Sequence, residues 1–391
     1  MEGGKKLAEG GYGCVFHPEI SCNGKETDNM NYVSKLQKRD FSADNEIFIG
    51  KILIDTYGKA IGKPLENNFA PVISSCPVNI ASIQAKDIND CTVIKKSEDP
   101  TNFILMRIRF IDMEDFDNYI LKNANANLIV LTLIKGFNHL LKSIQLLINV
   151  NIVQFDLKGQ NIVFDNKKTL PIIIDFGLSL PMDKIDTATM YNYFYIFAPE
   201  YYVWPLEVHY INLLLHITSE PTTAQLRDLA KRYTKSNAAL EAFSPKFRNN
   251  YEILCLQTLQ EYSELSFKDR IKTAIKAWTT WDNYSLSIIY LKFIFYLTRA
   301  KNNKSLDNSF VKFMTKLIVM NIHPNFKRRL SIKATINRFD EFLGSANKTD
   351  LMAIEEVITN IETNKAAINR SIMINSRKIK TLTEKTVMRK I

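Results

Sequence analysis

The chain has 391 residues, of which 46% are hydrophobic and 24% are charged, and its formal net charge is +10. This size allows a sizeable core and two lobes, but composition alone does not choose a fold. The apolar runs at 128–153 and 286–297 are broken by lysines and polar residues, so neither reaches the roughly 20 apolar residues of a membrane span. Together with a polar, glycine-rich beginning, this predicts an intracellular, cytoplasmic protein without a membrane span.

The cysteines and histidines argue against two further classes of site. The five cysteines show no C-x-x-C spacing and suggest no disulfide framework, which is typical of a reducing compartment. The five histidines do not cluster at metal-ligand spacing. We therefore expect neither a disulfide scaffold nor a histidine metal site.

Residues 1 to about 111 alternate short apolar runs with Gly, Asn and Pro, as a small β-rich lobe would. The lobe opens with a glycine-rich segment, whose backbone can turn tightly and bring N–H groups against phosphate oxygens. That segment is Ala8, Glu9, Gly10, Gly11, Tyr12, Gly13, Cys14 and Val15. Lys35 follows inside an apolar strand, and a helix starting near Ser42 carries Glu46. The last strand of the lobe is predicted at 103–110.

The most informative spacing lies in the second part of the chain. A run with helical periodicity at 128–148 precedes Asp156, Lys158 and Asn161, and Asp175 follows within an Asp-Phe-Gly sequence. Two carboxylates and an amide offer the hard oxygen ligands that suit Mg²⁺. Each polar residue alone could be a cap or a turn residue. The ordered set indicates phosphoryl transfer.

These motifs resemble those of the protein kinase family, in family order over most of residues 1–345. The sequence at 10–18 and the late helix at 281–291 resemble, more narrowly, the serine/threonine kinases of large DNA viruses. The resemblance implies an α+β, bilobal protein-kinase-like fold, with a small β-rich N-lobe at 1–111 and a mainly helical C-lobe at 112–345. It also implies ATP and Mg²⁺ as cofactors and protein substrates, in the host cytoplasm or the virion if the source is viral.

By this resemblance, Asp156 orients the substrate hydroxyl and accepts its proton, while Lys158 neutralises charge on the transferred phosphoryl group. Asn161 and Asp175 would hold Mg²⁺. Phe155 stands where regulated members carry an arginine that grips a phosphorylated activation loop. The sequence therefore predicts a serine/threonine kinase whose activity does not depend on activation-loop phosphorylation.

The resemblance also assigns the ATP-binding residues. Lys35 would reach the α- and β-phosphates and pair with Glu46, and the glycine-rich segment would cover the phosphates. The adenine would hydrogen-bond to backbone near Arg109 and Ile111, at the hinge between the lobes.

Three residues receive structural roles from the resemblance. Ala198-Pro199-Glu200 matches the A-P-E motif that closes the activation segment, and its Glu200 is expected to pair with the late Arg329. Asp282 is expected to brace the catalytic-loop backbone from below. The stretch after the A-P-E site is unusually long and predicts a helical insertion at about 205–278.

Two other functions stay open at this point. A pseudokinase or ATP-binding scaffold is favoured by Ala8, Gln154 and the long insertion, and by Gly50, which would leave a gap in the helix that carries Glu46. A small-molecule phosphotransferase of the aminoglycoside type shares part of the catalytic-loop pattern. The basic tail at 346–391 is predicted to be partly helical or disordered; a solvated end is favoured over a nucleic-acid anchor.

Overall fold

The structure is a computed structural model that describes residues 4–10, 13–22, 29–83, 88, 90–95, 99–165, 170–298 and 309–387. Two positions of the predicted glycine-rich segment, Gly11 and Tyr12, lie outside the described residues. The described chain has a mixed α+β architecture, with a small antiparallel sheet in the N-terminal part and helices in the C-terminal part. None of its helices is long and apolar enough to cross a lipid bilayer.

The N-terminal sheet has five antiparallel strands in the order β1-β2-β3-β5-β4. Its strands are β1 (Lys5–Glu9), β2 (Gly13–His17), β3 (Tyr32–Lys38), β4 (Val72–Val78) and β5 (Phe103–Arg109). The predicted last strand of this part is therefore present. The short helices α2 (Pro64–Asn68) and α3 (Thr92–Lys95) lie in its connections.

Helix α1 (Phe41–Tyr57) packs against strand β4 of this sheet. The predicted start near Ser42 is confirmed, and Asp40 caps the helix, because its side chain accepts a hydrogen bond from the backbone N–H of Ala43 (2.9 Å). The expected gap at Gly50 is wrong. A Cβ atom at Gly50 would lie 2.5 Å from the carbonyl oxygen of Val72, so the glycine allows the helix to approach β4 closely.

The expectation that the cysteines form no disulfides is wrong. Cys14 is bonded to Cys91 and Cys22 to Cys76, with 5.9 Å between the Cα atoms of each pair, while Cys255 is a buried free thiol. The sheet brings together cysteines that are 77 and 54 residues apart, and such pairing cannot be deduced from spacing alone. Both disulfides lie in the N-terminal part, whose buried clusters are small.

The C-terminal part is built around helix α5 (Ala126–Asn149), which matches the predicted run at 128–148 and is buried along one face. Helix α4 (Phe116–Lys122) precedes it. Short strands then carry the polar motifs: β6 (Met113–Asp115), β7 (Ile152–Val153), β8 (Ile162–Asp165), β9 (Pro171–Ile173) and β10 (Leu180–Pro181). They form a three-stranded sheet in the order β6-β8-β9 and a β10-β7 pair.

The predicted insertion is helical, as expected. The described helices between residues 190 and 345 are α6 (Met190–Tyr193), α7 (Leu206–His216), α8 (Thr223–Ser236), α9 (Pro245–Ser263), α10 (Phe267–Ile275), α11 (Trp281–Thr298), α12 (Ser309–Asn321) and α13 (Ile332–Ser345).

The basic tail forms one long helix, α14 (Lys348–Val387), with a local break in helical geometry at Asn364. It packs against α4, α5, α11 and α12. Its isoleucines at 361, 368, 372 and 379 are buried. The described tail is therefore a docked helix, in contrast to the solvated end that its charge suggested.

Candidate functional site

A cleft lies between the N-terminal sheet and the helical part. It encloses a cavity of about 460 Å³. Most of the predicted ATP-binding residues line it, together with both predicted metal ligands: Ala8, Glu9, Gly10, Gly13, Val15, Lys35, Glu46, Arg109, Ile111, Asn161 and Asp175. Cys14 is the exception among the described residues of the glycine-rich segment, because its side chain is buried in a disulfide. The apolar residues Val33, Ala70, Ile108 and Ile174 also belong to the lining and were not singled out from the sequence.

Lys35 is the central cation of the cleft. It projects from β3, and its Nζ lies 2.7 Å from Glu46 Oε2 on α1 and 3.2 Å from Asp175 Oδ1. The predicted contact between Lys35 and Glu46 is therefore present. Burial alone would lower the pKa of Lys35, but the carboxylates of Asp175 and Glu46 outweigh it, so the pKa of Lys35 is raised. The lysine is thus a fixed positive charge in the cleft.

Asp175 lies at the start of a segment that packs against α1. Its backbone is left-handed, with φ 60°, a conformation that a non-glycine residue adopts only when its surroundings hold it. Two contacts hold the segment: Gln154 Nε2 donates to the Asp175 carbonyl (3.1 Å), and Asn45 Nδ2 donates to the Gly177 carbonyl (3.1 Å). Burial would raise the pKa of Asp175, but Lys35 and Lys158 lower it, with a net decrease. Its side chain is 43% exposed, so a charged carboxylate faces the cleft.

The segment at 156–161 brings Asp156, Lys158 and Asn161 together. Lys158 Nζ lies 2.5 Å from Asp156 Oδ2, and Asn161 Nδ2 donates to the same oxygen (3.1 Å) and to the Asp156 carbonyl (2.9 Å). The hydroxyl of Tyr201 donates to the other carboxylate oxygen, Oδ1. Nothing in the sequence pattern pointed to Tyr201. Both oxygens of the Asp156 carboxylate therefore accept hydrogen bonds within the protein.

Asp282 supports this segment from α11. Its two carboxylate oxygens accept the backbone N–H groups of Gln154 (2.7 Å) and Phe155 (3.0 Å), so the predicted contact with the loop is present. Phe155 itself has φ 69° and is buried. Its ring stacks on Trp204 with centroids 4.9 Å apart, and the Trp204 indole N–H donates to the Phe155 carbonyl (2.9 Å). Aromatic packing thus fills the position for which the resemblance implies an arginine.

The expected pair of Glu200 with Arg329 is wrong. Arg329 lies 3.0 Å from Glu207, and both side chains are fully buried. Glu200 pairs instead with Arg232 (2.7 Å), at a partly exposed site. Glu200 follows a proline by one residue and Glu207 by two. The buried position of Glu207 makes it the partner of Arg329. Glu207, which the sequence reasoning missed, therefore supplies the buried partner of the late arginine.

The connecting segment between the two parts lies at the far end of the cavity. Ile111 is buried, and the Arg109 guanidinium donates to the carbonyl oxygen of Glu66 (2.8 Å). The guanidinium is thus tied to the backbone near α2.

Lys35, Glu46, Asp175 and Asn161 thus line the cavity, and Asn161 is hydrogen-bonded to Asp156. Neither a scan against protein-family models nor a search of curated proteins finds a match for this chain.

Proposed function

We propose that this protein is an ATP-dependent serine/threonine protein kinase with a bilobal, protein-kinase-like fold. The observation that carries the proposal is that Lys35, Asp175 and Asn161 line one cavity and that Asn161 donates to Asp156. Lys35 is more than a hundred residues from the other three, and the charges of the set match the parts of a phosphoryl-transfer site. Phosphoryl transfer also requires an apolar pocket for the nucleotide base and a polar region for the acceptor, and the cleft has both.

The nucleotide side of the cleft fits a nucleoside triphosphate. Apolar side chains from both parts of the chain line the cavity, as a purine requires, and Lys35 supplies a fixed positive charge for phosphate oxygens. Asp175 and Asn161 fit Mg²⁺, because Asn161 donates its amide nitrogen to Asp156 and its amide oxygen is then the atom that can ligate a cation. Bound Mg²⁺ would neutralise charge on the phosphates.

The acceptor side fits a serine or threonine hydroxyl. Asp156 would accept the hydroxyl proton as the oxygen forms its bond to the γ-phosphorus, while the bond from that phosphorus to the β,γ-bridging oxygen breaks and ADP leaves. Lys158, 2.5 Å from Asp156, is placed to neutralise the transferred group. Positioning and charge neutralisation then account for most of the rate enhancement.

The proposed activity does not require activation-loop phosphorylation. Phe155 is buried against Trp204 and stands where regulated kinases carry the arginine that binds the phosphate. A phosphate on the activation loop would therefore not find this cation. Phosphatase treatment should therefore leave the activity unchanged, and its loss on treatment would contradict this part of the proposal.

A pseudokinase is the second candidate function, and one of the four sequence features that favoured it, the gap at Gly50, is not found. Gly50 was expected to leave a gap beside Glu46, but the close approach of β4 fills that space. Glu46, on the same helix, also contacts Lys35 (2.7 Å).

The test is phosphate transfer from γ-labelled ATP with Mg²⁺ to a panel of proteins, a serine/threonine peptide library and small-molecule acceptors. Asp156→Ala should reduce transfer by about 10²- to 10⁴-fold, the usual contribution of general-base catalysis. Asp55→Ala, at an exposed position of α1, is the matched control and should keep full activity. Equal activity in the two variants, or labelling of small molecules alone, would contradict the proposal.

A further inference from the structure

The last third of helix α14 lies beside the acceptor side of the cleft. A second cavity, of about 620 Å³, has the catalytic segment as one wall and this helix as another. Asp156, Lys158 and Asn161 line the first wall, and Ser376, Lys380, Thr383 and Glu384 line the second. The chain's own C-terminal helix therefore borders the space through which an acceptor would approach.

Polar contacts attach this part of the helix to the site. Gln160, beside Asn161, donates from Nε2 to Ser376 Oγ (3.3 Å), and the Tyr202 hydroxyl donates to Asn375 Oδ1 (3.4 Å). Lys378 lies 3.8 Å from Glu241. These contacts attach the helix to the catalytic segment and its neighbours as well as to the apolar core.

Apolar side chains hold the same turns in place. Ile372 and Ile379 are buried, with exposed fractions of 1% and 4%. Ile374, on the opposite face of the same helix, is 68% exposed. Burial of an isoleucine side chain is stabilising, so Ile379 is a main anchor of the turns that face the catalytic segment.

Tyr201 lies between Asp156 and a residue that contacts the helix. Its hydroxyl donates to Asp156, and the next residue, Tyr202, donates to Asn375 Oδ1 on α14 (3.4 Å). Asp156 is only 4% exposed, whereas the Asp175 side chain on the nucleotide side is 43% exposed. A substrate hydroxyl must take a position next to an Asp156 oxygen that Tyr201 now holds.

We propose that residues 376–384 of α14 close the acceptor side of the cleft, so that the structure represents a form able to take nucleotide but closed to protein acceptors. The inference rests on the proposed kinase function. Release of these turns from the catalytic segment would free Tyr201 and open Asp156 to a serine or threonine. The helix is then an autoinhibitory element of the same chain.

The experiment uses the full chain with Ile379→Asp, which removes the anchor, and with Ile374→Asp as the matched control on the exposed face. Hydrogen exchange of 376–384 reports whether the turns detach, and circular dichroism checks that the variants are folded. Phosphorylation of a serine/threonine peptide should rise about tenfold or more in Ile379→Asp, as expected when a largely closed population opens. Ile374→Asp should behave as the wild type.

A second readout does not depend on turnover. Lys158 is 7% exposed and borders the cavity beneath the helix, so its acylation by an N-hydroxysuccinimide ester should increase in Ile379→Asp and not in Ile374→Asp. If Ile379→Asp does not fold, Ser376→Arg replaces it, because this change crowds the contact with Gln160 and leaves the apolar anchors intact.

The outcomes separate the two proposals. Increased acylation of Lys158 together with increased peptide phosphorylation supports closure by α14. Faster hydrogen exchange at 376–384 without a change in either readout overturns it. Increased acylation of Lys158 with no phosphate transfer by the wild type or any variant would support closure by α14 and contradict the kinase function.

Discussion

The nucleotide side and the acceptor side of the cleft use charged side chains in different ways. On the nucleotide side, Lys35 and Asp175 face a cavity, and the Asp175 side chain is 43% exposed. On the acceptor side, Asp156 is almost fully buried, and below it Asp282 and the Glu207–Arg329 pair are buried as well. Lys35 and Asp175 are placed to meet a charged ligand, whereas Asp282 holds the backbone of the loop that carries Asp156.

The difference has a physical reason. A triphosphate with Mg²⁺ must enter and leave, so the groups that bind it have to keep access to solvent. The loop that carries Asp156 must hold a fixed geometry, and buried charges with several hydrogen bonds fix geometry strongly, because losing one partner leaves an uncompensated charge. Substitutions on the acceptor side should therefore affect stability far more than similar substitutions at exposed pairs.

Arg329→Met should have the largest effect on stability. The arginine lies 3.0 Å from Glu207, and its removal leaves a carboxylate buried without its cation. We expect the free energy of unfolding to fall by about 3–5 kcal/mol, as for other buried pairs that lose one partner. Chemical denaturation of the purified variant measures this loss.

Arg232→Met is the matched control for that prediction. Arg232 pairs with Glu200 at 2.7 Å, but both side chains are about 40% exposed (38% and 42%). The loss should be below about 1 kcal/mol. The double variant Glu207→Gln with Arg329→Met should recover part of the buried-pair loss. Equal losses in the two single variants would contradict the contrast between buried and exposed charges.

Asp282 should make the stability depend on pH. Burial raises its pKa from 3.8 to about 6, against the lowering effect of the backbone N–H bonds from Gln154 and Phe155. The folded protein therefore binds more protons than the unfolded chain between these values, so the contribution of Asp282 to stability is greatest below pH 4. It is lost as the pH rises through about 6.

Asp282→Asn removes this titration. The stability of the wild type relative to the variant should fall by about 3 kcal/mol between pH 4 and pH 7, since the shift is about two pKa units. Urea unfolding of both proteins at several pH values measures the difference. A difference that does not change with pH would show that Asp282 is not buried as a raised-pKa acid.

Tyr201→Phe tests the contrast between the two sides of the cleft at Asp156 itself. The change removes the hydroxyl that donates to Asp156 and keeps the ring. Hydrogen bonds to charged groups contribute about 1.5–3 kcal/mol, so peptide phosphorylation should rise by about tenfold if this bond keeps the acceptor out. A fall in activity with unchanged stability would instead make Tyr201 a positioning residue.

The sequence predicted the residues whose spacing is short and local. Asp156, Lys158 and Asn161 lie within one loop. The contacts of Lys35 with Glu46 and of Asp282 with the loop backbone, which the kinase resemblance implied, are present. These assignments depend on the order of short motifs, which a sequence shows directly.

Features that depend on tertiary burial were not predicted. The partner of Arg329 was wrong because the A-P-E motif pointed to Glu200, whereas tertiary packing buries Glu207 against the arginine. The disulfides join residues that the sheet brings together over long separations. Isoleucines at helical spacing in the tail are consistent with the docking of α14. The high positive charge of the tail nevertheless favoured the prediction of a solvated end.

The most direct test of the account is calorimetric titration of a non-hydrolysable ATP analogue, with and without Mg²⁺, into the wild type, Asp175→Ala and Asp156→Ala. We predict Mg²⁺-enhanced binding to the wild type, loss of that enhancement in Asp175→Ala, and binding close to the wild type in Asp156→Ala, because only Asp175 faces the nucleotide cavity. Absence of binding to the wild type, or equal Mg²⁺ enhancement in all three proteins, would contradict the assignment of this cleft to a magnesium-bound nucleotide.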